Sequence, residues 1–250
     1  MHTTIDKSML ILVMKPVFQT TLASVLLSSV LALPVLASGT EKAVVGDHLV
    51  ANDGSIAGNT TANEVSNVVG KVSFALGTAH VIHADHSREL VKVGMPIAVS
   101  DTVQTDSNAH VHIRFTDTAL LSVRPLSSLE IVRYDYRADA PEESVVKLNL
   151  IEGYTRAISG DAAKSARQNF RMNTPVAAIG VRGTDFVVKA DQRQVRALVN
   201  EGVIIVAPFS SNCLASALGP CNDNSLEIAG GANQVVLVSA DSASPILLPV

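Results

Sequence analysis

Histidines and carboxylates are the side chains of this 250-residue sequence best suited to chemistry. His80, His83 and His86 stand in "HVIHADH", and His110 and His112 in "HVH". On a strand, His110 and His112 point the same way about 7 Å apart, a spacing that chelates a metal if a third ligand arrives. His80 and His83 are three residues apart, so a strand places them on opposite faces. His86 belongs to a turn with Asp85 and Ser87. Solvated strand faces are the expectation, with no metal and no cofactor.

Hydrolytic signatures are missing too. The sequence holds no Gly-x-Ser-x-Gly elbow and no His-Glu-x-x-His helix. Asp101, Asp117, Glu130, Glu152 and Asp185 are scattered, and two of them could meet in space as an acid–base pair. Most sit beside Gly, Thr or Ser, where a carboxylate commonly caps backbone amides. A non-catalytic protein is expected.

The N-terminus points to export. Lys7 and Lys15 precede the apolar run "TLASVLLSSVLAL", Thr21 to Leu33, followed by Pro34 and "VLAS". Val35 and Ala37 occupy the small-residue positions of a signal-peptidase site, with cleavage between Ala37 and Ser38. The run is too short for the roughly 20 residues that cross a bilayer, so no transmembrane helix is expected to remain in the mature form. Met14 serves equally well as a start, because the segment from Met14 to Ala37 is itself a compact signal. The expected location is the periplasm or the exterior.

Cys213 and Cys221 are the only cysteines. In an oxidising compartment a closely spaced pair most simply forms one local disulfide. A metal pair would need further ligands nearby, and the gap is wider than in common zinc knuckles.

Those residues must be carried by strands. Nineteen Lys and Arg against 23 Asp and Glu give a net charge of −4, which provides no overall basic surface for phosphate backbones, so no nucleic-acid partner is expected. Residues 38–66 are polar and aperiodic, a flexible leader. From residue 67 onward, short runs follow one another: "VVGKVSFAL", "AHVHIRF", "ALLSV", "SLEIVRY", "VVKLNLI", "QNFRMN", "DFVVKA", "VRALVN", "VIIVAPF", "LEIAG" and "NQVVLVS". Alternation is clearest in "HVHIRF", where Val111, Ile113 and Phe115 share one face and His110, His112 and Arg114 the other. The class is all-β.

Two stretches align without gaps: "VKLNLIEGYTRAI" from Val146 and "VRALVNEGVIIVA" from Val195. Each sets a Glu-Gly pair, Glu152-Gly153 or Glu201-Gly202, as a turn between two arms, and Gly230-Gly231 gives a looser third copy. Strand, glycine corner, strand suits a β-solenoid-like roll, with a jelly-roll-type sandwich as the alternative.

The densest motif is "NTPVAAIGVRGTDFVV", Asn173 to Val188. Pro175 keeps Thr174 extended, and Gly180 and Gly183 flank Arg182 in a way that permits a sharp corner. An anion cradle of glycine amides is the competing reading, but the spacing follows neither phosphate-loop nor dinucleotide patterns. This stretch resembles the signature that closes the FecR-like domain, carried by Thr174, Pro175, Gly180, Gly183, Thr184 and Phe186. Upstream, "LVKVGMPIAVSDTVQTDSNAHVHIRFTDTALLSVRPLSSLEI" is similar to that domain's opening and "LNLIEGYTRAI" to its middle.

The resemblance runs from about Gly70 to Asp191, and organises the chain as signal peptide 1–37, leader 38–66, FecR-like β domain 67–191 and C-terminal β extension 192–250 with the disulfide loop. The family's founding members are implied to be membrane-spanning anti-sigma regulators with a periplasmic part. About twenty residues precede the apolar run, too few for a sigma-binding domain, so the carry-over is an exported β module for signalling or protein binding. The expected partner is an envelope protein, met by a strand face such as that of His110, His112 and Arg114. The alternative is a structural, surface-associated β scaffold.

Overall fold

In "HVHIRF" the alternation becomes local structure directly: Val111 and Ile113 are fully buried and Phe115 nearly so, while Arg114 is exposed. The computed structural model describes residues 67–250, so the signal segment, the Ala37–Ser38 junction and the leader lie outside the described residues. Strands follow in the order β1 (Val68–Leu76), β2 (Ala79–Ile82), β3 (Arg88–Leu90), β4 (Pro96–Ala98), β5 (Thr102–Thr105), β6 (His110–Phe115), β7 (Leu120–Val123) and β8 (Ser127–Asp135). Then come β9 (Val145–Ile158), a short helix α1 (Asp161–Ser165), β10 (Phe170–Asn173), β11 (Ala177–Ala190), β12 (Gln194–Pro208), β13 (Leu226–Ala229), β14 (Gln234–Ser239) and β15 (Ile246–Pro249). The class is all-β, as expected. The short strands β2, β3, β4, β5 and β15 fall outside the runs read from sequence, because three or four residues carry too little alternation to declare a period.

All the strands belong to one hydrogen-bonded sheet, and β9, β11 and β12 fold it into two layers. Residues 145–152 of β9 pair with β8 and, through 146–149, with β10, whereas residues 153–158 pair with β11 and, through 155–158, with β7. Strand β12 likewise pairs with β14 through residues 194–198 and with β13 through residues 203–206. One layer runs β3-β2-β5-β8-β9-β10-β11-β12-β13, and the other β4-β1-β6-β7-β9-β11-β12-β14-β15. Strands β3, β4, β13 and β15 are left as open edges. Residues of both layers, such as Leu129, Leu150 and Ile204 on one and Ile113, Phe186 and Val236 on the other, pack into a single core.

The Glu-Gly pairs differ from the sequence reading. They are not turns between separate strands: β9 continues through Gly153 and β12 through Gly202. Both glycines, and Gly183 within β11, have a positive φ, +98° at Gly153, +62° at Gly183 and +78° at Gly202. At each, the inward-facing set changes parity. Val146, Leu148 and Leu150 give way to Thr155 and Ala157 in β9; Ala177, Ile179 and Val181 to Phe186 and Val188 in β11; Val195, Ala197 and Val199 to Ile204 and Val206 in β12. An extra residue bends a strand and flips its alternation, so both arms keep their apolar side on the same core. Gly230-Gly231, in contrast, is a true turn between β13 and β14.

Candidate binding face

Taken from the residues upward, the motif from Thr174 to Phe186 is architecture. The Thr174 hydroxyl donates to the Ala177 carbonyl at 2.9 Å and accepts the Ala177 N–H at 3.0 Å, closing the β10–β11 hairpin around Pro175. Gly183 makes the bend. Thr184 is buried and its N–H donates to the Ser159 hydroxyl at 3.0 Å, pinning the chain that leads into α1. Phe186 is fully buried in the core. Gly180 departs from the expected corner: it lies within a straight arm, and a Cβ there would meet Pro220 at 2.7 Å.

Pro220 belongs to the disulfide loop, which covers the outer side of the first layer. Cys213 and Cys221 are bonded, with Cα atoms 5.5 Å apart, and pack with Ala178 and Ala207 in a second apolar cluster. Three side chains reach from the sheet into the loop's carbonyls. Arg171 donates to Gly219 at 2.6 Å and Leu214 at 3.0 Å, Lys147 to Ser216 at 2.9 Å, and Asn173 to Ala215 at 2.8 Å. Burial pulls the Arg171 and Lys147 pKa values below their ordinary values.

The scattered carboxylates stay apart, each with its own partner or none. Asp101 accepts the Ala98 N–H at 2.8 Å and bonds His83 Nδ1 at 2.8 Å. Asp117 is buried, caps Ala119 and Ala162, and accepts the Tyr134 hydroxyl at 2.6 Å. Burial, with the adjoining Asp117 charge and hydrogen bond, pushes the Tyr134 phenol far above its usual pKa. Glu130 bonds Asn149, and Glu152 is exposed. Asp185 forms a two-bond pair with Arg156, whose hydrogen bonds hold its carboxyl below the usual range against the opposing effect of burial. His80 bonds Arg88 at 2.9 Å, and His86 turns back to His83 with a φ of +65°. Among the described residues, no three or more His, Cys, Asp or Glu gather as a metal donor set.

His110, His112 and Arg114 share the outward side of β6 in the second layer, where no loop among the described residues covers them as the disulfide loop covers the first. His112 lies against Phe74 with ring centroids 5.0 Å apart. Burial, followed by the charges of His110 and Arg124, lowers its pKa.

The registers extend this side across the layer. Lys71 pairs with Arg114 and Arg114 with Leu120; His112 pairs with Ser122, and Ser122 with Arg156. Beyond β6 a strip forms from Arg124, whose guanidinium stands 5.7 Å over the Tyr154 ring, through Lys189 opposite Tyr154, to Arg196 opposite Lys189.

Sequence reasoning missed Arg124, Tyr154, Lys189 and Arg196. The signal was present: Lys189 alternates with the buried Val188 and Ala190, and Arg196 with the buried Val195 and Ala197. The net charge of −4 conceals this side, because charge segregation is a property of faces and composition sums over them.

Comparison with known proteins places part of this framework. The family described as FecR protein matches residues 101–204. Two crystal structures of a candidate anti-sigma factor from Parabacteroides distasonis ATCC 8503, at 1.65 and 2.50 Å resolution, are each 14% identical over 59% of this chain, with a TM-score of 0.41. The chain spans 59% of the length of those structures. A cell surface anchoring domain is 26% identical over 26% of this chain and 84% of its own, with a TM-score of 0.25. No curated protein matches the chain. Among the described residues no helix is long and apolar enough to cross a membrane.

Proposed function

We propose, from the FecR domain that residues 101–204 carry, that the chain is an exported, non-catalytic signalling module that binds an envelope protein. Cleavage after Ala37 leaves Ser38 as the first residue, and the mature chain works in the periplasm or outside the cell. Residues 67–191 serve as the FecR-like β domain and residues 192–250 as an extension sharing its sheet. The bends at Gly153, Gly183 and Gly202 support reading the sheet as a β-roll.

One observation carries the reading: the two outer sides of the sheet are unequal. The first layer is covered by the disulfide loop over β10 and β11, whereas the second presents His110, His112 and Arg114 beside the exposed Phe74 and Leu76. A partly apolar face rimmed by charge is the composition that protein partners bury. A photo-crosslinking residue in place of Ser122, between His112 and Arg156, should capture a discrete envelope protein from living cells. Replacing His110, His112 and Arg114 together with Ala should weaken that capture while circular dichroism stays unchanged. Turnover of a substrate, abolished by a single substitution that leaves the fold intact, would overturn the non-catalytic reading.

A further inference from the structure

We propose that the open side of the second layer docks an acidic, partly apolar polypeptide segment, seated along the strip Arg124–Tyr154–Lys189–Arg196. The inference rests on the protein-binding reading and names the chemistry of the partner.

Charge complementarity carries it. The outward positions of this layer hold Lys71, Arg114, Arg124, Arg156, Lys189 and Arg196. Two carboxylates stand at the edge of this set, Asp185 and the exposed Glu201 opposite it, and Asp185 is engaged by Arg156 and Asn200. Asp191, at the tip of the β11–β12 hairpin, is turned to the Arg193 and Gln194 N–H groups. Arg124, Lys189 and Arg196 make no ion pair within 4.0 Å among the described residues, unlike Arg133, Arg137, Arg156 and Arg182. Neighbouring strands lie about 4.8 Å apart, so the strip crosses four adjacent strands in roughly 15 Å. An extended segment bearing several carboxylates matches that span. In a chain of net charge −4, such concentration focuses a positive field on one side and steers acidic partners there.

The apolar content selects polypeptide over other anions. Ile158, Val187, Leu198, Val235 and Leu237 stand half-buried on the same side. They stand among the cations, where aliphatic side chains of a partner can cover them. A phosphorylated polysaccharide offers no such cover.

The test uses the mature chain from Ser38, with fluorescent poly-L-glutamate as the probe, read by anisotropy, and poly-L-lysine and phosphatidylglycerol vesicles as comparisons. Poly-L-glutamate should bind, and Lys189→Glu with Arg196→Glu should weaken it about tenfold or more. Lys189→Gln with Arg196→Gln, a milder pair, should give a smaller loss in the same direction. Lys92→Glu, an exposed charge on the loop between β3 and β4, should leave binding within about twofold. The proposal is overturned by absent poly-L-glutamate binding, by an equal loss from Lys92→Glu, or by preferential binding to the vesicles. If the Glu pair leaves envelope-protein capture at Ser122 intact, the acidic chemistry falls and the protein-binding reading stands; absence of any capture removes both.

Discussion

Arg171 Nε donates to the carbonyl of Gly219 at 2.6 Å, joining a buried strand to the disulfide loop across 48 residues of sequence. Arg171 is 1% exposed, and its guanidinium also donates to Leu214 and to Cys221 Sγ. Its charge is balanced by carbonyl dipoles, with no ion pair to a carboxylate among the described residues. Arg171→Leu should therefore cost about 2–4 kcal/mol, since hydrogen bonds to a charged group are lost and buried carbonyls are left unpaired. Chemical denaturation checks it; a loss below 1 kcal/mol (about one neutral hydrogen bond) would show that the contact is incidental.

The disulfide should matter more than its loop length suggests. Chain entropy alone gives roughly 2.5 kcal/mol for so short a loop. However, the sulfurs are packed against Ala178 and Ala207, on the long strands β11 and β12. Replacing Cys213 and Cys221 with Ser should lower stability by about 3–5 kcal/mol and open residues 210–220 to limited proteolysis. A variant resistant to cleavage there, with an unchanged melting temperature, would contradict this.

Glycine substitutions should rank by the space at each bend. A Cβ at Gly202 would collide with the Gly183 carbonyl oxygen, whereas at Gly183 the nearest atom is Lys164 Cγ at 3.7 Å. Gly202→Ala should cost more than Gly183→Ala, and the first at least about 2 kcal/mol, from positive φ and overlap together. Gly183→Val should in turn exceed Arg182→Ala, whose exposed pair with Glu227 is worth at most about 1 kcal/mol. Thermal melts of the four variants give the order directly.

Stability should depend on the His83 proton. The hydrogen bond to Asp101, outweighing burial, and then the charges of Asp101, Asp85 and Glu89 raise its pKa above 6.5. A raised folded-state pKa stabilises fully below the unfolded value and is lost as pH climbs through the folded one. The melting temperature should fall between about pH 6 and 8 more in the natural protein than in His83→Gln. Parallel profiles would remove the pair from the account.

Export should leave Ser38 at the N-terminus, because Val35 and Ala37 are the small residues placed behind the apolar run. Mass spectrometry of envelope-fraction protein reads the terminus; an intact Met1 or Met14 on exported protein would refute the site.

Much of the molecule is written locally. The inward set of β6, Val111, Ile113 and Phe115, follows from alternation alone, and so does the outward set His110, His112 and Arg114, because side chains change sides every residue. The pairing of Cys213 with Cys221 is expected from their close spacing in a chain with no other cysteine. The carboxylates of Asp101 and Asp117 act as caps, as their Ser and Thr neighbours suggested. Those are short-range consequences of residue type.

Tertiary structure decided the rest. Glu152-Gly153 and Glu201-Gly202 look like hairpin turns in sequence, since a positive φ is all that residue type encodes. Whether the chain reverses or bends there depends on the strands paired to each arm. Gly180 looks like a second corner, yet its lack of a Cβ answers to Pro220, forty residues on. The cationic strip was legible only as separate alternations around Lys189 and Arg196. Register across β7, β9, β11 and β12 brought those alternations into one row, and register is a long-range agreement between strands that no single segment specifies.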